Sequence, residues 1–219
     1  MVGAIIFDID GTLLDSVDLH ARAWVDAFER HGHRIPFEKV REQIGKGGDQ
    51  LMPVFLTDSE IARFGEKLEA DRGALFKQRY LPDVRPFAEV RALLQRLKAD
   101  GKKLALASSA KQDELEVYKK IAQIDDLIEA DTSSDDVERS KPSPEIFVAA
   151  LQRLHGVPPE DALAVGDTPY DAIAAAKAGI RTIGVTCGGW SAPALEEAGC
   201  VAVYADPADL LANIERWAR

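Results

Sequence analysis

The chain of 219 residues is 46% hydrophobic and 29% charged, which is typical of a folded globular protein with one large domain or a core with an insertion. Its formal net charge of −10 disfavours nonspecific binding to nucleic acid or anionic membranes. The two cysteines, Cys187 and Cys200, lack metal-ligand spacing, and no apolar run approaches the roughly 20 residues of a membrane span. We therefore expect a cytoplasmic protein with free thiols and without nucleic-acid or membrane partners.

Short apolar runs recur along the chain without alternating with polar residues, as is typical of strands buried on both faces of a parallel sheet. Four such runs stand out, at residues 4–7, 104–107, 162–165 and 182–185. Amphipathic helical patterns accompany them, at residues 87–100, 144–154 and 169–178. This alternation predicts an α/β fold with a doubly wound (Rossmann-like) parallel sheet.

The segment between the first and second predicted strands breaks this alternation. It contains no convincing strand, and helical patterns fill it at residues 18–31, 37–44 and 58–80. A helical block in this position indicates a small inserted domain. We therefore expect a core domain built from residues 1–15 and 83–219, and a helical domain of residues 16–82.

Polar side chains follow the predicted strands at the points where the strands end. In parallel α/β sheets, ligands bind outside the carboxyl ends of the strands. The side chains at these ends are carboxylates and hydroxyls, namely Asp8, Asp10, Ser108, Ser109, Asp167 and Asp171, and Lys141 lies in the chain between the serines and Asp167. We expect them to converge at one edge of the sheet.

Each of these residues also has an ordinary structural interpretation. Asp8 and Asp10 suit a turn, Ser108 and Ser109 suit the start of a helix at 111–121, and a lone lysine is usually exposed. Their combination favours phosphoryl transfer instead. Mg²⁺ would relieve the repulsion between clustered carboxylates, one carboxylate could act as nucleophile and form an aspartyl-phosphate, and the lysine would supply positive charge to an anionic transition state.

Four segments, "DIDGTLLDS", "SSA", "KPSPEIF" and "GDTPYD", occur in this order along the chain. They resemble the four ordered motifs of the haloacid dehalogenase superfamily. The helical insertion resembles the cap of its phosphoglycolate phosphatase and β-phosphoglucomutase-like branch. The resemblance spans essentially the whole chain.

The resemblance implies roles for individual residues. Asp8 would be the nucleophile, and Asp10 would protonate the leaving alcohol and then deprotonate the attacking water. Ser108 and Lys141 would hold the phosphoryl oxygens.

The same resemblance implies a Mg²⁺ ion as cofactor. Asp8, the backbone carbonyl of Asp10, and Asp167 would bind it, with Asp171 in support. Candidate substrate contacts are Gly11, Thr12 and Ser109 in the motifs, together with His20, Lys46 and Arg72 in the helical insertion.

Several chemistries occur in such a superfamily, and the motifs discriminate among them. A dehalogenase has no need of Asp10, and nothing singles out Lys39 or Lys46 as the Schiff-base lysine of a phosphonate hydrolase. The segments "LHARAW" and "ALASSAKQ" look like a β-phosphoglucomutase, whose fourth motif has two adjacent acids. Here Asp167 and Asp171 lie four residues apart, which favours hydrolysis and keeps the mutase as the alternative.

A non-catalytic binding module of the same fold is the third possibility, and it is disfavoured because the nucleophile, the acid and the lysine are all present. We therefore expect a monomeric or homodimeric phosphatase that uses Mg²⁺. Its substrate would be a small phosphorylated metabolite, such as a sugar phosphate or phosphoglycolate.

Overall fold

The computed structural model describes residues 2–217. In that part of the chain, eight strands form, namely β1 (Ala4–Phe7), β2 (Leu14–Asp15), β3 (Arg85–Pro86), β4 (Lys103–Ala107), β5 (Ala130–Thr132), β6 (Ala162–Gly166), β7 (Arg181–Val185) and β8 (Cys200–Tyr204). Six of them build one parallel sheet in the order β5-β4-β1-β6-β7-β8. The parallel α/β fold predicted from the apolar runs is therefore confirmed.

Strand β1 lies near the middle of this sheet because its residues are apolar towards both faces. All four of its side chains are buried, and Phe7 is level with Leu106 of β4 and Val165 of β6. Three adjacent strands therefore end at the same height, which brings the residues that follow them together.

The edge strands are not identified by the apolar runs. Strand β5 is only three residues long and is half-buried, so its pairing with β4 rather than its own sequence makes it a strand. Strand β8 is mostly half-exposed and pairs with β7 through an irregular register between Thr182 and Ile183.

Helices accompany the strands in the order of the chain. They are α1 (Val17–Arg30), α2 (Phe37–Arg41), α3 (Gly48–Leu51), α4 (Asp58–Leu75), α5 (Val90–Ala99), α6 (Gln112–Ala122), α7 (Glu145–Arg153), α8 (Pro169–Lys177), α9 (Ala192–Glu197) and α10 (Pro207–Ala212). Separate apolar clusters cover the sheet on either side. One includes Phe7, Leu94 and Leu106, and the other includes Ile6, Phe147 and Ala164.

Three helix boundaries differ from the prediction by three residues or more. Helix α2 ends at Arg41 rather than at residue 44, and the other two differ for local reasons. Helix α5 begins at Val90 rather than near residue 87 because Glu89 adopts a left-handed conformation with φ of 60°. The predicted helix over 58–80 is regular only as far as Leu75, and the next turn, Phe76–Tyr80, widens to a π-helix.

Helices α1–α4 lie in the segment between β2 and β3 and share an apolar cluster of their own, which includes Trp24, Phe28, Val40 and Leu68. The antiparallel pair β2–β3 joins the chain where it leaves and re-enters the sheet, with Leu14 level with Pro86. The division into core and helical domains stays a prediction. Within residues 2–217, no helix has the length and apolar character needed to cross a membrane.

Candidate active site

The loop after β1 turns sharply because of Gly11. This residue has φ of +85°, and a Cβ atom there would lie 2.4 Å from Asp167 Oδ2, so only glycine fits. The turn places the Thr12 hydroxyl 3.0 Å from Asp8 Oδ2 and 3.2 Å from Asp167 Oδ1. Gly11 and Thr12, predicted as substrate contacts, thus shape the loop and hold the carboxylates.

Three buried carboxylates and one lysine meet at the carboxyl end of the sheet. Single oxygen atoms of Asp8, Asp167 and Asp171 lie within 4.8 Å of one another. Lys141, fully buried, places its Nζ 2.5 Å from Asp8 Oδ1 and 2.8 Å from Asp171 Oδ1. These side chains therefore converge at the strand ends, where Asp8 and Asp171 contact one ammonium group and Asp167 lies beside them.

The buried acids have unusual proton affinities because the cluster holds more carboxylates than cations. Burial raises the pKa of Asp8 to about 7, with further increases from Asp171 and Asp10 and a partial decrease from Lys141. Burial, together with Asp8 and Asp171, also holds the pKa of Asp167 well above its usual range. For Lys141, burial lowers the pKa but the flanking Asp171 and Asp8 more than compensate, so the ammonium stays charged.

This donor set fits a hard divalent cation. Within residues 2–217, Asp167 Oδ2 is buried and has no hydrogen-bond partner, a costly state for a carboxylate. A Cβ atom at Gly188 would lie 1.7 Å from the same oxygen, so the glycine lets the loop after β7 pass over the cluster. Clustered carboxylate oxygens with excess negative charge are the ligands that Mg²⁺ prefers.

Asp171 has two functions in the structure. It occupies the third position of α8, where its Oδ2 accepts hydrogen bonds from the backbone and hydroxyl of Thr168 at 3.1 and 2.6 Å. Its Oδ1 faces Lys141. The helix-capping interpretation is therefore correct, and the same carboxylate also pairs with the buried lysine.

Asp10, the second acid of the loop, is held by its own hydrogen bonds. Ser16 Oγ donates to Asp10 Oδ1 at 2.6 Å, and His20 Nε2 lies 3.0 Å from the same oxygen. Burial raises the pKa of Asp10, but His20 and Ser16 outweigh that effect and the net shift is downward.

His20, predicted as a substrate contact, is therefore a neighbour of the Asp10 carboxylate. Its ring stacks on Phe76 with centroids 3.9 Å apart, and its Nε2 also lies 2.9 Å from Tyr118 OH. Burial, Asp10 and Glu114 raise the pKa of Tyr118, so its phenol stays protonated. Tyr118 was not identified from sequence, because one aromatic residue on the buried face of a helix is indistinguishable from core.

The two serines after β4 point in different directions. Ser108 is buried, and its Oγ accepts a hydrogen bond from the Ala110 N–H at 3.1 Å. Ser109 Oγ donates to the carbonyl of Gly45 in the helical insertion at 3.1 Å. Ser108 thus stays inside the sheet edge, while Ser109 connects it to a glycine-rich loop of the helical insertion, which begins the segment "IGKGGDQL" at residues 44–51.

That loop closes over the site through a second set of contacts. The Gly47 N–H donates to Ser140 Oγ at 2.9 Å, and Ser140 Oγ donates to Asp49 Oδ1 at 2.5 Å. A Cβ atom at Gly47 would lie 2.6 Å from Ser140 Oγ, so a larger residue would push the loop off the sheet edge. The glycines of "IGKGGDQL" therefore permit a close approach of backbone to Ser140.

The cavity between loop and sheet is lined by half of the predicted site residues. Lys46 lines it, although its Nζ donates to Gln43 Oε1 at 2.6 Å and lies 4.6 Å from the centre of the Tyr170 ring. Burial lowers the Lys46 pKa. The cavity is lined by Asp8, Asp10, His20, Trp24, Ile44, Gly45, Lys46, Gly47, Gly48, Arg72, Ser109, Ala110 and Glu114.

Arg72 enters this cavity from α4 and is only 8% exposed. Its guanidinium carbon lies 5.3 Å from the centre of the Trp24 ring, and its Nη1 lies 3.8 Å from Glu114 Oε2. Arg72 thus lines the same cavity as Asp8 and Asp10, and its contact with substrate stays a prediction. Glu114 was missed, since an acid in the first turn of a helix is ordinarily a favourable surface charge.

Comparison with known proteins relates this geometry to a family. Residues 2–179 match the haloacid dehalogenase-like hydrolase family. The chain is 31% identical to PpaX of Caldanaerobacter subterraneus over 186 residues, covering 84% of this chain and 81% of that protein. It is 29% identical to the phosphorylated carbohydrates phosphatase of Thermotoga maritima over 205 residues, covering 91% and 93%.

Solved structures agree with this assignment. The structure of a hydrolase from Pseudomonas syringae superimposes with a TM-score of 0.90 at 28% identity, and the match covers 98% of each chain. The whole described fold, including the helical insertion, is thus similar to that of a hydrolase.

Proposed function

Because the chain belongs to the haloacid dehalogenase-like hydrolases, we propose that it is a Mg²⁺-dependent phosphatase that hydrolyses a small phosphorylated metabolite through an aspartyl-phosphate on Asp8. The observation that carries the proposal is the buried Asp8 carboxylate, 2.5 Å from the Lys141 ammonium and lining the same cavity as Asp10. The name of the Thermotoga maritima relative, a phosphatase of phosphorylated carbohydrates, supports the same class of substrate.

In the first step, a carboxylate oxygen of Asp8 attacks phosphorus and the bond from phosphorus to the ester oxygen breaks. Asp10 gives its proton to that departing oxygen, so the leaving group departs as an alcohol. Lys141 and the Ser108 hydroxyl hold the phosphoryl oxygens during the transfer.

In the second step, water attacks the aspartyl-phosphate and Asp10 takes up the proton of that water. The bond from phosphorus to Asp8 breaks, inorganic phosphate leaves, and the Asp8 carboxylate is restored. The downward pKa shift of Asp10 suits this second role, because a base must be ionised before it can accept a proton, and it makes the protonated form that acts in the first step the minor one.

The residues for the metal are Asp8, the Asp10 backbone carbonyl and Asp167, with Asp171 in support through Lys141. A bound Mg²⁺ supplies positive charge to the phosphoryl oxygens. The unpartnered Asp167 oxygen and the excess of carboxylates over cations support this placement.

Residues 16–82 form, in this proposal, a cap domain that opens to admit substrate and closes to limit water. The contacts of Ser109 with Gly45 and of Ser140 with Gly47 and Asp49 support the closed arrangement. Closure strengthens the electrostatic contacts to the phosphoryl group because water is displaced.

A screen of phosphorylated metabolites, with and without Mg²⁺, tests the proposal by comparing the wild type with Asp8→Asn. We expect phosphate release by the wild type with Mg²⁺, and a loss of at least about 1,000-fold in Asp8→Asn. Asp15→Asn, an exposed acid in β2, is the matched control and retains activity.

Three outcomes would contradict parts of the proposal. Activity that survives in Asp8→Asn removes Asp8 as nucleophile. Equal turnover after chelation of the metal removes Mg²⁺. An isomerised sugar phosphate as product, in place of inorganic phosphate, assigns the chain to the mutase alternative.

A further inference from the structure

The side of the cavity formed by α4 and α6 carries a second pair of charged residues that the proposed chemistry does not use. Arg72 comes from α4 and Glu114 from the first turn of α6, and both are buried, with 8% and 2% exposure. Both line the same cavity as Asp8 and Asp10. The pair therefore borders the space beside the phosphoryl group.

This pair is close but incompletely bonded. The Nη1 of Arg72 lies 3.8 Å from Glu114 Oε2, a distance that gives charge attraction but exceeds a normal hydrogen bond. Among the described residues, neither Arg72 Nε nor Glu114 Oε2 has a hydrogen-bond partner. One buried donor and one buried acceptor are thus left open, an arrangement that native proteins rarely tolerate without a ligand or water.

The charge of the pair limits what can bind there. Arg72 alone would attract a second phosphate or a carboxylate, but the Glu114 carboxylate lies within 4 Å of its guanidinium and would repel such a group. An ammonium group would be attracted by the Glu114 carboxylate but repelled by the Arg72 guanidinium. A hydroxyl group fits both residues, since it accepts from the guanidinium and donates to the carboxylate.

We propose that Arg72 and Glu114 form a specificity site for the leaving group, which binds hydroxyl groups of a sugar or polyol phosphate and rejects substrates with a second anionic group. The inference rests on the proposed phosphatase function and names the substrate class of the same cavity. It places phosphoglycolate, whose leaving group carries a carboxylate, among the poor substrates.

Two features of the fold keep the pair in place. Glu114 lies six residues after Ser108, so helix α6 fixes it relative to the phosphoryl-binding edge. Arg72 is supported by the Trp24 ring at 5.3 Å. Because Arg72 belongs to the helical insertion and Glu114 to the sheet side, the complete site exists only when the two parts are together.

The test compares hydroxylated esters with analogues of similar shape that lack the hydroxyl groups. Glucose 6-phosphate is paired with cyclohexylmethyl phosphate and glycerol 3-phosphate with propyl phosphate, and phosphoglycolate represents an anionic leaving group. We expect kcat/KM to favour a hydroxylated ester over its partner by roughly 10- to 100-fold, the range for hydrogen bonds to charged groups. Glu114→Gln should reduce that ratio about tenfold and increase the relative use of phosphoglycolate.

Glu116→Gln is the matched control, because Glu116 lies on the same helix but does not line the cavity and pairs with Lys119 at 2.7 Å. In this variant, the ratio of kcat/KM for a hydroxylated ester to kcat/KM for its paired analogue should equal that of the wild type. Arg72→Lys keeps the positive charge but removes Nε, so it provides a second test if Glu114→Gln folds poorly by circular dichroism. It should also reduce the ratio.

Several results would overturn the inference. These are equal use of the paired esters by the wild type, a preference for phosphoglycolate, or unchanged ratios in both variants. If no ester, including p-nitrophenyl phosphate, releases phosphate, the proposed function fails separately. Calorimetric binding then decides the inference, which requires that glucose 6-phosphate bind more tightly than cyclohexylmethyl phosphate and that Glu114→Gln reduce this difference.

Discussion

The acids at the sheet edge and the acid Asp126 on the outer surface are the same kind of side chain in opposite surroundings. Burial raises the pKa of Asp8 to about 7. The hydrogen-bonded Arg91 guanidinium, in open solvent, lowers the pKa of Asp126 to about 2. Asp126 is satisfied by one cation, whereas Asp8 shares one lysine with Asp171 and lies beside Asp167.

This difference shows why charge alone does not identify a functional site. Water screens the exposed pair, so each of its partners can be lost at little cost. The buried carboxylates have no such alternative and remain short of positive charge, which is the property expected of groups that bind a metal and a phosphate. The following substitutions separate the two kinds of acid.

Replacement of Lys141 should have the largest effect. Lys141→Met leaves Asp8 and Asp171 buried without their cation, so we expect a loss of stability of about 3–5 kcal/mol and a decrease in kcat of roughly 100- to 1,000-fold. Urea unfolding and phosphate release measure the two effects. Lys120→Met, an exposed residue of α6, is the control, and equal behaviour of the two variants would refute the role of the buried lysine.

Binding of Mg²⁺ to the buried carboxylates should increase the thermal stability of the protein. Mg²⁺ that binds only the folded state stabilises it by about 2.7 kcal/mol at 100 times its dissociation constant, so the wild-type Tm should rise as Mg²⁺ is added and return after chelation. Asp167→Asn should lose most of this rise, because it loses a proposed ligand. Asp113→Asn, which removes the exposed partner of Lys77, should keep it. An unchanged Mg²⁺ response in Asp167→Asn would exclude this site.

His20 should have a smaller effect, through Asp10. His20→Asn removes the ring that stacks on Phe76 and contacts the Asp10 carboxylate, so Asp10 loses its fixed orientation and activity should fall roughly 10- to 100-fold. The decrease should appear in kcat more than in KM. His33→Asn, near Glu60 at 3.6 Å, is the control, and a change confined to KM would instead make His20 a substrate contact.

The exposed pair should have the smallest effect, and one that depends on pH. The folded-state pKa of Asp126, about 2, is below its ordinary value of 3.8, so its contribution to stability is present above about pH 4 and is lost as the pH falls towards 2. Wild type should therefore exceed Arg91→Gln slightly in urea midpoint at pH 6, and this difference should shrink at pH 3. A difference that grows on acidification would contradict this assignment.

The sequence determined which edge of the sheet carries the candidate site, because that edge depends on the order of the strands along the chain. The apolar run at 4–7 is β1 as predicted, and the runs at 104–107, 162–165 and 182–185 lie within β4, β6 and β7. Parallel strands end at one edge, so the residues after them had to meet there. The positions of Asp8, Ser108 and Asp167 followed from this rule, whereas Lys141 lies in a loop nine residues after β5.

Contacts across long sequence separations were decided only by the tertiary structure. Arg72 pairs with Glu114 and Tyr118 pairs with His20, over separations of 42 and 98 residues. The residue pattern of one helix does not reveal which residue of another helix it will contact. The edge strand β5 likewise exists because β4 pairs with it. Periodicity reports which face of an element is buried, whereas the identity of the group that faces it depends on how the elements pack. For that reason the reaction class could be read from the sequence, and the surroundings of the leaving group only from the fold.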